Sequence, residues 1–204
     1  MKFSILPLLT ISAVIISCEN PADSTTDASV KGAQEVATAS ADAVKYDFTP
    51  NSTIEFLGSK VTASHGGGFK KFSGFVSLES GAPVSGSFTI DMNSTYSDSD
   101  KLTGHLMNED FFNVGAHPES KFEFTAFEKL SDTNYSISGN LTMVGKTNNI
   151  QFPATVAYTS EKITLDAEFD INRKDWGIEY PGKKDDLIRD EVVLTFKLEA
   201  TPSL

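Results

Sequence analysis

The side chains with chemical reach are few. Three histidines, His65, His105 and His117, are scattered through 204 residues, and Cys18 is the only cysteine. An intrachain disulfide needs two cysteines, and a thiolate-rich zinc site needs more than one, so neither is expected. No Gly-x-Ser-x-Gly elbow and no His-Glu-x-x-His pair occurs, so the usual devices of nucleophilic and metal-assisted hydrolysis are missing. One enzymatic alternative remains, a hydrolase of apolar esters, which would need a serine within hydrogen-bond reach of His65 or His105. The expectation is a protein that is not an enzyme, with no metal and no required cofactor.

Cys18 has a different chemistry open to it. Met1-Lys2 supplies one positive charge, Phe3 to Ile16 is almost wholly apolar, and small Ser17 precedes the cysteine, which is the layout of an export signal. The apolar run is shorter than a bilayer span and polar Glu19-Asn20 follows it at once, so residues 1–17 read as a signal peptide. Ile15-Ile16-Ser17-Cys18 resembles the lipobox of bacterial lipoproteins. That resemblance implies that Cys18 is acylated and becomes the first residue after cleavage. The acylated Cys18 would hold the protein at a membrane without a spanning segment, in the bacterial cell envelope, on the periplasmic side or at the cell surface. Residues 18–43 read as this anchor followed by a tether: the stretch is rich in Ala, Ser, Thr and Asp and has no aromatic residue. Such a composition predicts disorder, with a reach of roughly 25 to 30 Å.

Residues 44–204 have the size of one domain with a substantial core. The formal charge of −11 opposes binding to nucleic acid or to anionic membrane surfaces, and the Lys70-Lys71 and Lys183-Lys184 pairs read as solvated surface. The apolar period is two almost throughout. Phe88, Ile90 and Met92 share one face, as do Ile163, Leu165, Ala167, Phe169 and Ile171, and again Val192, Leu194, Phe196, Leu198 and Ala200. About eight antiparallel strands with one wet face imply an all-β barrel or sandwich. Residues 97–120 break the alternation. Ser97 to Ser99 can cap a short helix carrying Leu102 and Leu106, with Phe111 and Phe112 placed to cover one end and Pro118 marking the return to extended chain. Gly66, Gly67 and Gly68 read as a turn, since no phosphate-loop Lys-Ser/Thr follows them.

Fifteen Phe against one Trp suggest an apolar interior with few polar handles, suited to a hydrocarbon guest, or else a barrel filled by its own side chains. The order of several motifs adds to this. His105-Leu106 followed by Asp110-Phe111-Phe112, then Gly139, Leu141, Thr142, Gly145 and Thr147, then Asn172-Arg173-x-Asp175-Trp176-Gly177, resembles the YceI-like family, also called polyisoprenoid-binding or lipid-binding YceI-like proteins. The resemblance runs from about Tyr46 to Ala200. Gly104 departs from it, standing where many relatives carry an acidic residue, as does His117-Pro118, where they carry Tyr-Pro. The resemblance implies a lipocalin-like antiparallel β-barrel with a short helical lid, whose apolar pore takes up a polyprenyl chain or an isoprenoid quinone.

On that basis Phe56, Phe72, Phe88, Ile90, Met92, Phe122, Phe124, Ile137, Leu141, Phe169 and Ile171 are the expected ligand-lining residues, all on faces of apolar alternation. His65, His105, Asp110 and Arg173 are the expected polar contacts to a head group or quinone ring. Each has a structural alternative: an ion pair of Arg173 with Asp175 or Asp110 at a barrel end, and histidines that satisfy loop backbone. The function expected is carriage or storage of an isoprenoid-type lipid by an anchored lipoprotein. The alternative is a ligand-free envelope interaction module. Nothing in the sequence opposes a dimer. Substituting Cys18 by Ala should move the protein from the membrane to the soluble fraction of a lysate, and continued membrane retention would sink the anchor assignment.

Overall fold

The computed structural model describes residues 20–203; residues 1–17, expected as a signal peptide, and Cys18 lie outside the described residues. The two-residue alternation becomes strands β1 (Ser29–Gly32), β2 (Val44–Phe48), β3 (Thr53–Lys60), β4 (Ala63–Phe69), β5 (Phe72–Glu79), β6 (Ala82–Asp91) and β7 (Thr95–Ser97). After helix α1 (Asp100–Leu106) come β8 (Glu119–Lys129), β9 (Asn134–Met143), β10 (Lys146–Tyr158), β11 (Ile163–Asn172), β12 (Gly182–Lys183) and β13 (Asp186–Pro202). Tight hairpins set the register. Ser80-Gly81 and Val144-Gly145 each place both central residues at positive φ, the twist that a two-residue β-turn requires.

Strands β13, β2, β5, β6, β8, β9, β10 and β11 close in that order into an eight-stranded antiparallel barrel. Long β13 serves two neighbours along one edge: Ala200–Pro202 pairs with β2, whereas Val192–Lys197 pairs with β3. The β3–β4 hairpin therefore builds the upper part of the wall, completed where β4 meets β7. The 3-10 turn Met92–Ser94 carries β6 over to β7. Ser99 caps α1 as its type predicts, accepting from Leu102 N–H at 3.4 Å.

The middle and lower barrel are filled by the protein's own side chains. Phe152 stacks on Phe169 at 4.0 Å between ring centroids and Phe88 on Phe122 at 5.2 Å. Phe196 meets all four edge-on, at 5.3 to 6.1 Å. Glycine makes this density attainable: a Cβ on Gly139 would lie 2.1 Å from the Phe122 ring. Below the rings, Ile137, Val156, Leu165 and Leu198 are buried.

Residues 20–43, expected as a disordered tether, instead form a strap on the outside of the barrel. β10 and β11 pair only near Thr155 and Asp166 and part above that point. The strap occupies the opening. β1 runs antiparallel to Asn148–Gln151 of β10, while Ala28 N–H donates to the Asp170 carbonyl of β11 at 2.9 Å. Farther on, Asn140 and Gln34 exchange two hydrogen bonds, at 3.0 and 2.7 Å, and Ala37 N–H donates to the Phe124 carbonyl at 3.0 Å. Asn140, Asn149, Asp170 and Val193, on the outward face of their strands, are buried. The composition argument fails for a physical reason. Unpaired edges of splayed strands need backbone donors and acceptors, and any non-proline segment supplies these. Burial raises the pKa of the Asp170 carboxyl, opposed by the Thr25 hydroxyl that donates to it at 2.7 Å.

Removing residues 20–43 should lower stability by on the order of 2 kcal/mol, the surplus of several hydrogen bonds over the cost of ordering the strap. Urea denaturation of chains beginning at Glu19 and at Val44 measures this, and coincident midpoints would restore the tether.

Candidate functional site

The upper half of the barrel is open where the lower half is filled. A cavity of about 320 Å³ lies there, between the phenylalanine cluster below and α1 with its following loop above. Phe88 and Phe196 form its floor, Ile54, Phe56, Phe69, Leu141 and Leu194 belong to its walls, and Leu102, Leu106, Phe111 and Phe112 close over it. The lid is a packed unit: Leu106, Phe111 and Ile178 form a small apolar cluster of their own, against which Phe56, Met143, Val144 and Tyr180 pack. Val144 holds φ at 50°, a region costly for a β-branched residue, and its contact with the lid offsets that strain.

The three glycines of β4 take their place in this wall. They were expected to make a turn, yet Gly66, Gly67 and Gly68 run extended beside β3. A Cβ on Gly67 would stand 2.4 Å from the Phe56 ring, so the missing side chain is what lets that ring lie against the sheet at the cavity wall. The lack of a side chain at Gly67, rather than turn-forming freedom, is what this position uses.

Of the eleven apolar residues expected from sequence, Phe56, Phe88, Ile90, Met92, Leu141 and Ile171 line the cavity. Phe72, Phe122, Phe124, Ile137 and Phe169 do not. Phe122, Phe124, Ile137 and Phe169 are at most 1% exposed and belong to the filled core, and Phe72 packs on its margin. All five lie on inward faces, Phe72 directly opposite Ile90, so alternation could not separate them from the wall; height along the barrel axis sets the other four apart. Phe69, Met143, Ile178, Tyr180, Ile188, Val192, Leu194 and Phe196 also line the cavity. Val192, Leu194 and Phe196 carried the same alternation signal, whereas Ile178 and Tyr180 lie in a loop with no periodicity to mark them.

The polar residues are paired. His65 Nδ1 lies 3.0 Å from Asp98 Oδ1, and His105 Nε2 lies 2.9 Å from Asp110 Oδ2. The contact with His105 holds the Asp110 carboxyl below the usual carboxylate range. Both histidines line the cavity mouth, while Asp110 stands just outside it in a shallow surface depression. The ring of His105 is also held edge-on by Phe111 and Tyr180, each at 4.9 Å. The structural alternative, in which the histidines satisfy loop backbone, is not what holds them: each ring is paired with a carboxylate. Asp98 was the unforeseen partner.

Arg173 is 4% exposed and lines the cavity. Its Nε donates to the Arg189 carbonyl at 3.1 Å, Nη1 to the Ile178 carbonyl, and Nη2 to Asp190 Oδ1 at 3.1 Å. The ion-pair partner is thus Asp190, not Asp175 or Asp110. Burial pulls the guanidinium pKa down, and Asp190 opposes that shift. Trp176, in the same 3-10 turn, donates to the Leu141 carbonyl at 2.9 Å and fixes the turn against β9. Among the described residues no group of three or more His, Cys, Asp or Glu side chains could hold a metal ion. The arrangement is a hydrocarbon-lined chamber with a paired polar rim.

Replacing Arg173 by Leu should cost about 3 kcal/mol of stability in the ligand-free protein, because two carbonyls and Asp190 lose a buried partner. Lys should recover only part of it, having no planar fork. A ligand-free stability unchanged by Arg173→Leu would assign the arginine to ligand contact alone. Urea denaturation of the purified variants reads the difference.

Comparison with known proteins converges on one family. The model of the YceI-like domain matches residues 46–200. A Pseudomonas putida protein described as a UPF0312 protein is 30% identical over 124 residues, 57% of this chain and 65% of that protein. The match therefore spans less than two thirds of that relative's length. Among solved structures, Burkholderia cenocepacia BcnA superposes with a TM-score of 0.67 at 26% identity, covering 74% of this chain and 96% of the other. A polyisoprenoid-binding domain from Saccharophagus degradans, implicated in plant cell wall breakdown, superposes with a TM-score of 0.65 over 79% of this chain and all of the other. At 17% identity that likeness speaks for the fold alone.

Proposed function

The chain belongs to the YceI-like family, and on that premise we propose that it binds an isoprenoid-type lipid, a polyprenyl chain or an isoprenoid quinone, in the upper barrel cavity. The observation that carries the reading is a hydrocarbon-walled cavity of about 320 Å³ capped by a packed lid, in a barrel otherwise filled with phenylalanine. The polyisoprenoid-binding domain from Saccharophagus degradans shares this fold, so the fold itself is compatible with such a ligand. The cavity is at the small end for ligand sites, so one end of a long chain enters and the remainder stays at the mouth.

Burial of the inserted end supplies the affinity. Each methylene contributes about 0.8 kcal/mol, so about ten carbons give on the order of 8 kcal/mol before the cost of ordering the chain. Shape and apolar area do the selecting, and polar contacts have a smaller part. A quinone ring or a head group, left at the rim, would meet His65 and His105, which line the mouth beside their carboxylate partners. The protein acts as a carrier or store in the cell envelope, anchored through acylated Cys18.

The test is to purify the chain from Glu19 onward, strap included, extract it with organic solvent and identify the co-purified lipid by mass spectrometry. One prenyl chain or quinone per protein is the expected result. Phe56→Asp should abolish uptake of added prenyl lipid while the barrel stays folded, whereas Phe122→Asp, in the filled core, should unfold it. No lipid from the purified protein, together with no uptake, would turn the assignment to a ligand-free interaction module.

A further inference from the structure

Among the described residues the exposed large aliphatic side chains are Val44, Val61, Leu130 and Leu187, and they divide between the two ends of the barrel. Val44 and Leu130 stand at the filled end, where β2 begins and β8 ends. Val61 and Leu187 stand at the open end and meet: Val61 N–H donates to the Leu187 carbonyl at 3.2 Å. They are 55% and 50% exposed, on two adjacent turns whose neighbours Lys60, Lys183, Asp186 and Ile188 line the cavity. An apolar pair therefore crowns the cavity rim.

The strap begins at the same place. Ser59 of the cavity wall donates to Asn20 Oδ1 at 3.4 Å, and the turn Pro21–Ser24 that follows buries Ala22 against the barrel. Cys18 is two residues before Asn20 in the chain, and two residues of extended chain reach no more than about 7 Å. Had residues 19–43 been free, the anchor would have imposed no orientation. Held by the strap, it places one end of the barrel at the membrane.

We infer that the rim formed by Val61 and Leu187 is a membrane-docking surface, which sets the cavity mouth on the bilayer so that a lipid chain passes between them without crossing water. The inference rests on the acylated-anchor reading. Charge has little part in the contact. Lys60 pairs with Asp186, and Lys183 and Lys184 are followed by Asp185, leaving the rim mixed in sign. Two aliphatic side chains and the acyl chains carry the attachment, and neutral lipid suffices.

The experiment uses the full precursor, processed in a bacterial host and reconstituted into vesicles of phosphatidylcholine and phosphatidylethanolamine, with bimane attached at Val61→Cys or Leu130→Cys. The probe at position 61 should be blue-shifted and quenched by nitroxide-bearing lipid, unchanged in high salt, while the probe at position 130 stays exposed to aqueous iodide. A chain that fails to float with the vesicles removes the anchor reading and the docked rim together. A floating chain whose position 61 is as accessible to iodide as position 130 overturns the docked rim and leaves the anchor standing. Val61→Asp with Leu187→Asp should slow transfer of a fluorescent prenyl probe out of vesicles about tenfold, with binding of the same probe delivered from detergent unaltered. Unchanged transfer would also overturn the docked rim.

Discussion

Phe196 meets Phe88, Phe122, Phe152 and Phe169 edge-on at the middle of the barrel, and this cross-barrel cluster is the constraint on which the remaining architecture depends. Edge-to-face rings are favoured by the aromatic quadrupole and leave few gaps. Strands from opposite sides of the wall contribute, so the cluster fixes barrel diameter and register together. It also seals the lower half. Whatever space the barrel retains must lie above it, where β3, β4, β13 and the separate lid segment enclose the interior without filling it.

The open end then has to be held in shape without a core of its own. Arg173 does much of this. Its planar fork ties the 3-10 turn after β11 to two carbonyls and to Asp190, and Trp176 in the same turn binds the Leu141 carbonyl of β9. A buried guanidinium is costly unless it is paired and hydrogen-bonded, so the turn that accommodates it is held in place by those bonds. The histidine and carboxylate pairs at the rim act more weakly, being largely solvated. Rigid turn, packed lid and aromatic floor leave a chamber whose selectivity is set by shape.

Barrel closure creates a second problem, which the strap solves. β10 and β11 part above Thr155 and Asp166, and their facing edges would otherwise be unpaired. The strap threads that opening and binds both strands. The segment that fills the split between β10 and β11 is thus also the one whose Asn20 is bound at the cavity rim, through Ser59.

Much was legible in the sequence. Alternation in residues 163–171 and 192–200 fixed which side chains face inward, because a strand's two faces follow from backbone geometry alone. Loss of alternation over residues 97–120, with Ser99 ahead of Leu102 and Leu106, marked the helix and lid from local spacing. The strap was invisible to composition, since its stability comes from strand edges that exist only once the barrel has formed. So was the division of phenylalanines into floor, wall and filled core: Phe56 and Phe122 carry the same local signal, and only their heights in the closed barrel tell them apart. Asp190 as the partner of Arg173, and Asp98 of His65, were likewise decided by tertiary structure. Local pattern says which way a residue points, but pairing and enclosure depend on what the rest of the chain brings to meet it.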